Sequence, residues 1–388
     1  MTEKLYYQDS HLHNFSACVL CCEPVDNGLF RVVLDRSAFF PEGGGQRQDT
    51  GKIGGAAVVD VQERDGEIVH VCDAPLKVGE TCDCSVDWEQ RYRRMQNHSG
   101  EHIVSGIVHN LYGYDNVGFH MGDDCMTIDF SGELTQEQLL QVETLANEKV
   151  RENVEIRAWF PEPGQLRGID YRSKLELTHD VRLVSIEGCD VCACCAPHVS
   201  RTGEVGIIKI LDFMRHRGGM RVFLTCGMDA LDSIRTYQKQ ITDISGLLSA
   251  RREKTAEAVV RVLEDRAEQK NRIALISMEN VRLRAESTPE TEKSNCVFDD
   301  VLDDVARREL VNLLSEKSGI MAAVFSGNDE DGYRYIIGSR NVNLRNCAGA
   351  INHGISGRGG GTPSMIQGSC RESAERIIQF INNFAPES

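Results

Sequence analysis

The sequence predicts an α+β protein in four segments: a β-rich domain over 1–87, an α+β domain over 88–228, a helical or coiled-coil spacer over 229–290 and an α/β domain over 291–388. Three observations carry that prediction. Short β-branched runs separated by Gly and Asp turns fill the amino-terminal part, the pattern of half-buried strands. Helical stretches alternate with further strands up to about residue 228. From there Ile234, Tyr237, Ile241, Ile244 and Leu248 follow the 3,4 spacing of a coiled-coil seam.

Phe30–Leu34, Ala57–Val61 and Glu67–Val71 are the amino-terminal strand candidates. Between the first two lies Phe39-Phe-Pro-Glu-Gly-Gly-Gly-Gln-Arg-Gln-Asp-Thr-Gly51, a loop whose three consecutive glycines permit positive φ and close backbone approach. A helix is expected from about Trp88 to Leu111, and a second from Thr135 to Arg151, where Thr135 is the N-cap and Gln138 completes a capping box. Strands near 154–159, 181–186, 206–210 and 220–224 complete that domain. In the spacer the apolar stripe weakens after Leu248 and resumes at Ala256, Val259 and Leu263. The last segment holds buried strands at 320–325 and 333–337, a second glycine-rich loop over 354–368, and a closing helix over 371–380. That loop matches neither a Walker A nor a dinucleotide fingerprint, so neither ATP nor NAD is implied.

A chain of 388 residues with 41% hydrophobic and 26% charged residues reads as soluble and of two or three domains. With no long apolar run and no apolar stretch at its start, it is expected in the cytoplasm, without membrane contact. Fifteen cysteines in such a chain read as thiols and ligands rather than disulfides. The net charge of −16 argues against indiscriminate nucleic-acid binding and leaves room for local basic patches. Three stand out: Arg91, Arg93 and Arg94 around Tyr92; Arg215, His216, Arg217 and Arg221; and Arg251, Arg252 and Lys254.

Two fragments carry chemistry. His98 and His102 stand four apart and share a helix face, so both imidazoles can reach one point. Cys194 and His198 repeat the four-residue spacing with a thiolate and a third imidazole. Together they form a His3Cys set suited to Zn2+. Two rivals remain open. Cys189, Cys192, Cys195 and His198, spaced by threes, can hold a local zinc or an iron–sulfur cluster. His98-Ser-Gly-Glu-His102 also fits the inverted zinc-peptidase pattern, with Glu101 as base. A non-catalytic, RNA-binding zinc protein is the third alternative.

The order of these pieces resembles the editing half of alanyl-tRNA synthetase as it occurs in free-standing alanyl-tRNA editing proteins of the long form. The resemblance rests on Leu34-Asp-Arg-Ser-Ala-Phe-Phe-Pro-Glu-Gly-Gly-Gly-Gln46 with Asp49 and Gly51, the His98/His102 pair, Cys194-x3-His198 and Ser200-Arg-Thr-Gly-Glu-Val-Gly206. Gly357–Gly368 is similar to the DHHA1 domain that ends those synthetases. The chain departs from the usual Cys-Gly-Gly-Thr-His at Cys195, Ala196 and Pro197, and has Ser37 where the family often has Thr.

The resemblance implies a zinc-dependent deacylase that hydrolyses mischarged aminoacyl-tRNA(Ala), chiefly seryl-tRNA(Ala) and also glycyl-tRNA(Ala). Its metal ligands would be His98, His102, Cys194 and His198. Backbone amides of Gly43, Gly44 and Gly45, with Gln46, would stabilise the oxyanion. Ser37 would sense the serine hydroxyl, and Glu101 is the candidate base. Arg91, Arg93, Arg94, Arg215, Arg217 and Arg221 would meet the tRNA end, and Arg358 with the amides of Gly359, Gly360 and Gly361 would grip its phosphates. The spacer or the last domain would supply tRNA affinity or a homodimer contact.

Overall fold

Hydrophobic residues on alternate positions of the amino-terminal strands close those strands on themselves. The computed structural model describes residues 1–162, 164–173 and 181–386. Strands β1 (Glu3–Lys4), β2 (Asn14–Pro24), β3 (Phe30–Leu34), β4 (Arg36–Ser37), β5 (Gly51–Ile53), β6 (Ala56–Arg64), β7 (Glu67–Cys72) and β8 (Thr81–Val86) come first. Six of them form a closed barrel in the order β2-β3-β7-β6-β5-β8, while β1 and β4 pair in parallel outside it. Closure leaves no open sheet edge. The interior holds Val19, Val32, Leu34, Phe39, Ile53, Val61 and Ile68, all essentially inaccessible to solvent. Each such aliphatic side chain contributes about 1.5–3 kcal/mol.

Helix α1 (Trp88–Tyr112) follows directly. Asp87 caps it by accepting from the Gln90 amide, and Gly113, at φ 68°, ends it in the left-handed conformation with its N–H on the His109 carbonyl. It is buried on nearly every side between Gln96 and Gly106. Gly106 permits this: a Cβ there would lie 2.6 Å from the Cys189 carbonyl oxygen. Then come β9 (Asn116–Met121), β10 (Met126–Phe130), α2 (Gln136–Glu152), β11 (Ile156–Trp159), β12 (Leu183–Ile186), β13 (Asp190–Ala193), β14 (Ile208–His216), β15 (Gly219–Cys226) and α3 (Gly227–Leu247). One sheet runs β14-β15-β10-β9 and a smaller one β11-β12-β13. Thr135 and Gln138 form the capping box of α2 expected from the sequence. Both sheets, α1 and α2 share one core with Ile103, Val104, Ile128, Val142, Val184 and Val222 at its centre.

The chain divides into two units, Met1–Asp243 and Ile244–Ser388, with the division inside α3. The stripe residues Ile234, Tyr237, Ile241 and Ile244 lie on that helix and are exposed. The second unit contains α4 (Thr255–Ser287), β16 (Asn295–Phe298), α5 (Asp304–Glu316), β17 (Ala322–Asn328), β18 (Gly332–Gly338), α6 (Leu344–Gly354), β19 (Gly357–Gly361), β20 (Met365–Cys370) and α7 (Ala374–Asn383). Its five-stranded sheet has the order β16-β17-β18-β20-β19. The glycine-rich segment expected as an open loop is instead an edge hairpin, β19 paired antiparallel with β20. Its glycines serve close packing: a Cβ on Gly359 would meet the Tyr335 hydroxyl at 2.3 Å. No helix among the described residues is long and apolar enough to cross a membrane.

Candidate metal centre

Helix α1 presents His98 and His102 from consecutive turns, and the segment after β13 carries Cys194 and His198 to the same point. The ligand atoms of these four residues all lie within 4.8 Å of one another, a group that could hold a metal ion. Cys194 Sγ stands 3.5 Å from His98 Nε2 and 3.4 Å from His198 Nε2. All three imidazoles are almost wholly buried.

Each ring is oriented from behind through its other nitrogen. His98 Nδ1 lies 3.0 Å from Gln46 Oε1, His102 Nδ1 2.9 Å from Asp190 Oδ2, and His198 Nδ1 3.0 Å from Ser99 Oγ. Partners of this kind set the tautomer and aim Nε2 at a common point. Asp190 is held in turn by Arg172, whose Nε and Nη2 donate to its two oxygens at 2.8 Å each. Arg182 donates to the Cys194 and Ala196 carbonyls, and Ser10, in the turn before β2, donates to the His198 carbonyl, so the Cys/His segment is tied down on both sides.

The electrostatics favour a deprotonated Cys194 thiol and a neutral His198 ring, while His102 is pulled the other way. Burial alone would raise the Cys194 thiol, but the imidazoles of His98 and His198 outweigh it and hold the thiol well below its ordinary value. Burial pushes His198 down to about 3. At His102 burial works downward, yet the Glu101 carboxylate and the bond to Asp190 raise it well above its usual value.

A hollow of about 1230 Å3 opens beside the four donors, lined among others by Gly44, Gly45, Glu101, Phe119, Arg172 and Cys195. The triple-glycine segment enters it as a tight turn. Gly43 and Gln46 exchange both backbone hydrogen bonds at 3.0 Å, while Gly44 at φ 59° and Gly45 at φ 82° supply the two central residues. That is the primed hairpin turn, which needs positive φ twice. The amides of Gly43 and Gln46 are therefore committed to the turn, which removes the Gly43 amide as an oxyanion donor; those of Gly44 and Gly45 remain. Gln46 acts through its side chain on His98, and its Nε2 is buried without a partner. Glu101 lines the hollow, with Oε1 accepting from Ser105 at 2.6 Å and from Asn116, and with Oε2 3.7 Å from His102 Nε2.

Other expected site residues sit elsewhere. Ser37 is wholly buried; its hydroxyl lies 2.8 Å from His70 Nε2 and accepts from the Phe39 amide. It does not line the hollow, so a direct contact with a substrate hydroxyl is corrected to an internal support. Arg91 is wholly buried on Asp49 and the Ala38 and Ser10 carbonyls, which removes it from any RNA surface. The same pair, with Asp49 also accepting from the Phe40 amide, pins the glycine turn to α1. Arg93 is held by Asp229, Asp232 and Glu89, Arg94 by the Gln48 carbonyl, and Arg221 by Asp129. Arg215 pairs with Glu133 but is 84% exposed, and Arg217 is an exposed turn residue. Arg358 is exposed on β19, and Gly359, Gly360 and Gly361 belong to that strand rather than to an open amide cradle. The rival set Cys189, Cys192, Cys195 and His198 is not gathered: among the described residues Cys192 groups with His102 and Asp190, and Cys189 Sγ faces the Ile103 carbonyl. Sequence reasoning missed Ser99, Asp190, Arg172 and Arg182, which carry no spacing signal because each acts on a residue far away in the chain.

Three family profiles match: tRNA synthetases class II (A) over residues 11–90, the threonyl and alanyl tRNA synthetase second additional domain over 181–222, and the DHHA1 domain over 294–387. The alanyl-tRNA editing protein AlaX-L of Pyrococcus horikoshii is 27% identical, over 97% of this chain and 97% of that protein. An alanine–tRNA ligase of Ignicoccus hospitalis is 28% identical over 99% of this chain and 43% of the ligase. That of Halobacterium salinarum is 36% identical over 62% of this chain and 28% of the ligase. The chain thus spans less than half the length of these ligases. With the profiles in chain order and the AlaX-L match running end to end, the chain is similar along nearly its whole length to the alanyl-tRNA editing protein AlaX-L and to part of the alanine–tRNA ligases.

Proposed function

We propose that this chain is a zinc-dependent aminoacyl-tRNA deacylase that hydrolyses mischarged tRNA(Ala) in trans, chiefly the seryl ester and also the glycyl ester. The observation that carries the reading is the convergence of His98, His102, Cys194 and His198 on one point beside an open hollow. The donor spacing supports zinc: Zn–S of about 2.3 Å and Zn–N of about 2.0–2.1 Å at the tetrahedral angle separate sulfur from nitrogen by about 3.5 Å. Separations of 3.5 and 3.4 Å match that geometry. The relatives' names support the substrate.

When bound, zinc in such a set supplies Lewis acidity toward a water or the ester carbonyl. The protein's part is positional. Gln46, Asp190 and Ser99 hold the three imidazoles in one tautomer and orientation. The Gly44 and Gly45 amides stand at the hollow as donors for a developing oxyanion. Glu101, fixed by Ser105 and Asn116, places a carboxylate oxygen beside the ligand cluster, where it accepts a proton from the attacking water. Residues 1–87 and 88–228 form the catalytic body in this reading, and the remainder contributes tRNA affinity or a dimer contact, acting in the cytoplasm.

Metal analysis together with deacylation of seryl-, glycyl- and alanyl-tRNA(Ala) tests the proposal. One zinc per chain is expected, with seryl ester cleaved and alanyl ester spared. His102→Ala and Cys194→Ala should lose metal and activity together. Full metal retention in both variants, or equal rates on seryl and alanyl esters, overturns it.

A further inference from the structure

Two side chains bound the hollow where the glycine turn enters it. Cys195 stands on the Gly44 side: a Cβ added at Gly44 would lie 3.3 Å from its Sγ, and one at Gly43 would lie 3.8 Å from it. Phe119 stands on the Gly45 side, where an added Cβ would lie 2.6 Å from its Cδ1. The Phe119 ring centroid is also 5.0 Å from that of His98, one of the four donors. Both residues line the hollow.

Neither wall is free to drift. The Met121 amide donates to the Gly45 carbonyl at 3.2 Å, which docks the turn on β9, the strand that carries Phe119. On the other side Arg182 donates to the carbonyls of Cys194 and Ala196, the two neighbours of Cys195. Ala196 is itself wholly buried in a cluster with Tyr6 and Phe40. The backbone of Cys195 is thus fixed from both ends, while the residue itself is exposed in the hollow. A side chain on a fixed backbone sets a fixed width, as a selective site requires. The Gly44 and Gly45 amides are the donors left for an ester carbonyl oxygen. In an aminoacyl ester the side chain hangs from the carbon next to that carbonyl. A substrate whose oxygen meets those amides therefore carries its side chain into the space that Cys195 and Phe119 bound.

We propose that Cys195, set against Phe119, is a size filter for the acyl side chain: it admits a hydrogen or a hydroxymethyl group and turns away a side chain larger by one methyl. The proposal rests on the deacylase reading and adds to it which esters are spared. An enzyme acting in trans meets aminoacyl esters of every size. Recognition of a hydroxyl does not separate seryl from threonyl esters, because both carry one. A steric wall does, and one methyl too many in a fixed pocket is worth about 10–200-fold in kcat/KM.

Hydrolysis of glycyl, seryl and threonyl esters of tRNA(Ala) by the full chain, compared with Cys195→Gly and Cys195→Leu, tests this. The unmodified chain should cleave the threonyl ester at least about tenfold more slowly than the seryl ester. Cys195→Gly should shrink that gap at least about fivefold, and Cys195→Leu should slow the seryl ester at least about tenfold relative to the glycyl ester. Each comparison is a ratio within one preparation, so any loss of folded or metal-loaded protein cancels. Unchanged ratios in both variants overturn the filter. Loss of all three activities in Cys195→Gly at unchanged metal content also overturns it, because Cys195 would then take part in bond cleavage. A second arm needs no hydrolysis: calorimetric binding of 3′-amino-3′-deoxyadenosine carrying seryl or threonyl as an uncleaved amide. Tighter binding of the seryl amide, lost in Cys195→Gly, supports the filter even if the unmodified chain cleaves no ester, an outcome that would remove the deacylase reading alone. Ester cleavage without that size order removes the filter alone.

Discussion

Replacing Asp190 by Asn separates the metal site from its support. The carboxylate is 7% exposed and holds two partners, accepting from His102 Nδ1 at 2.9 Å and from Arg172 Nε and Nη2 at 2.8 Å each. Burial alone would raise its carboxyl, but the bonds from His102 and Arg172 outweigh that and keep it below its ordinary value. Asn is the same size with one acceptor oxygen instead of two, and no charge. If that oxygen faces His102, the amide nitrogen faces Arg172 and two donors meet; the reverse orientation leaves His102 unsupported. Loss of such an outer partner costs about 10–100-fold in metal affinity, or ~1.4–2.7 kcal/mol. Arg172, with its side chain 14% exposed, loses the carboxylate it pairs with, and breaking a buried pair from one side costs about 3–5 kcal/mol. The small remaining exposure favours the lower figure. Chelator competition reads the first quantity, and thermal melts of the metal-free protein read the second. Arg172→Gln should reproduce the stability loss with a smaller effect on the metal, because His102 keeps its carboxylate partner. A folded Asp190→Asn protein whose metal affinity stays within about twofold of the unmodified chain would refute the claim that Asp190 orients His102 for a metal.

Three further outcomes follow from single contacts. Burial lowers His70 from 6.5 to about 4; between those values the unfolded chain binds the proton and the folded chain does not, so this contribution is complete above pH 6.5 and is lost as pH falls toward 4. The displacement is worth about 3 kcal/mol at ~1.4 kcal/mol per pH unit, and His70→Gln should flatten that part of a stability–pH profile measured by urea unfolding; an unchanged slope would show that His70 titrates normally. Ser37→Ala should lower stability by about 1–3 kcal/mol, because His70 Nε2 loses its hydrogen bond inside the barrel; selectivity between seryl and alanyl esters should move only as the glycine turn shifts, and a change in selectivity at unchanged Tm would restore a direct contact. Gly45→Ala should leave metal content intact while reducing deacylation at least about tenfold, since φ of 82° is strained for Ala and the new Cβ would lie 2.6 Å from Phe119 Cδ1; wild-type kinetics in this variant would exclude the turn from the active site.

Much of the architecture was legible because its signals are local. The helical stretch from about Trp88 to Leu111 and the start of α2 at Thr135 with Gln138 both read from short segments, since periodicity and capping depend on residues within a turn or two. The four-residue spacings of His98/His102 and Cys194/His198 state which side chains share a face. The glycine-rich segment near the carboxy terminus misled for the same reason. Glycine signals either freedom or crowding, and only the strand opposite, with Tyr335 beside it, distinguishes an edge strand from a loop. The basic patches misled as well: Arg91 and Arg221 read as surface charge until Asp49 and Asp129 are seen against them.

The sequence by itself determined the four candidate donors and the turn-forming glycines, because helical periodicity and φ preference act over a few residues. Tertiary structure alone decided that the two donor pairs meet, that Gln46, Ser99 and Asp190 aim the rings, and that Ser37 faces His70 inside the barrel. Those outcomes depend on which distant segments exclude water from one another. Burial and its neighbouring charges then decide whether a thiol, an imidazole or a guanidinium is a ligand, a support or a free surface group.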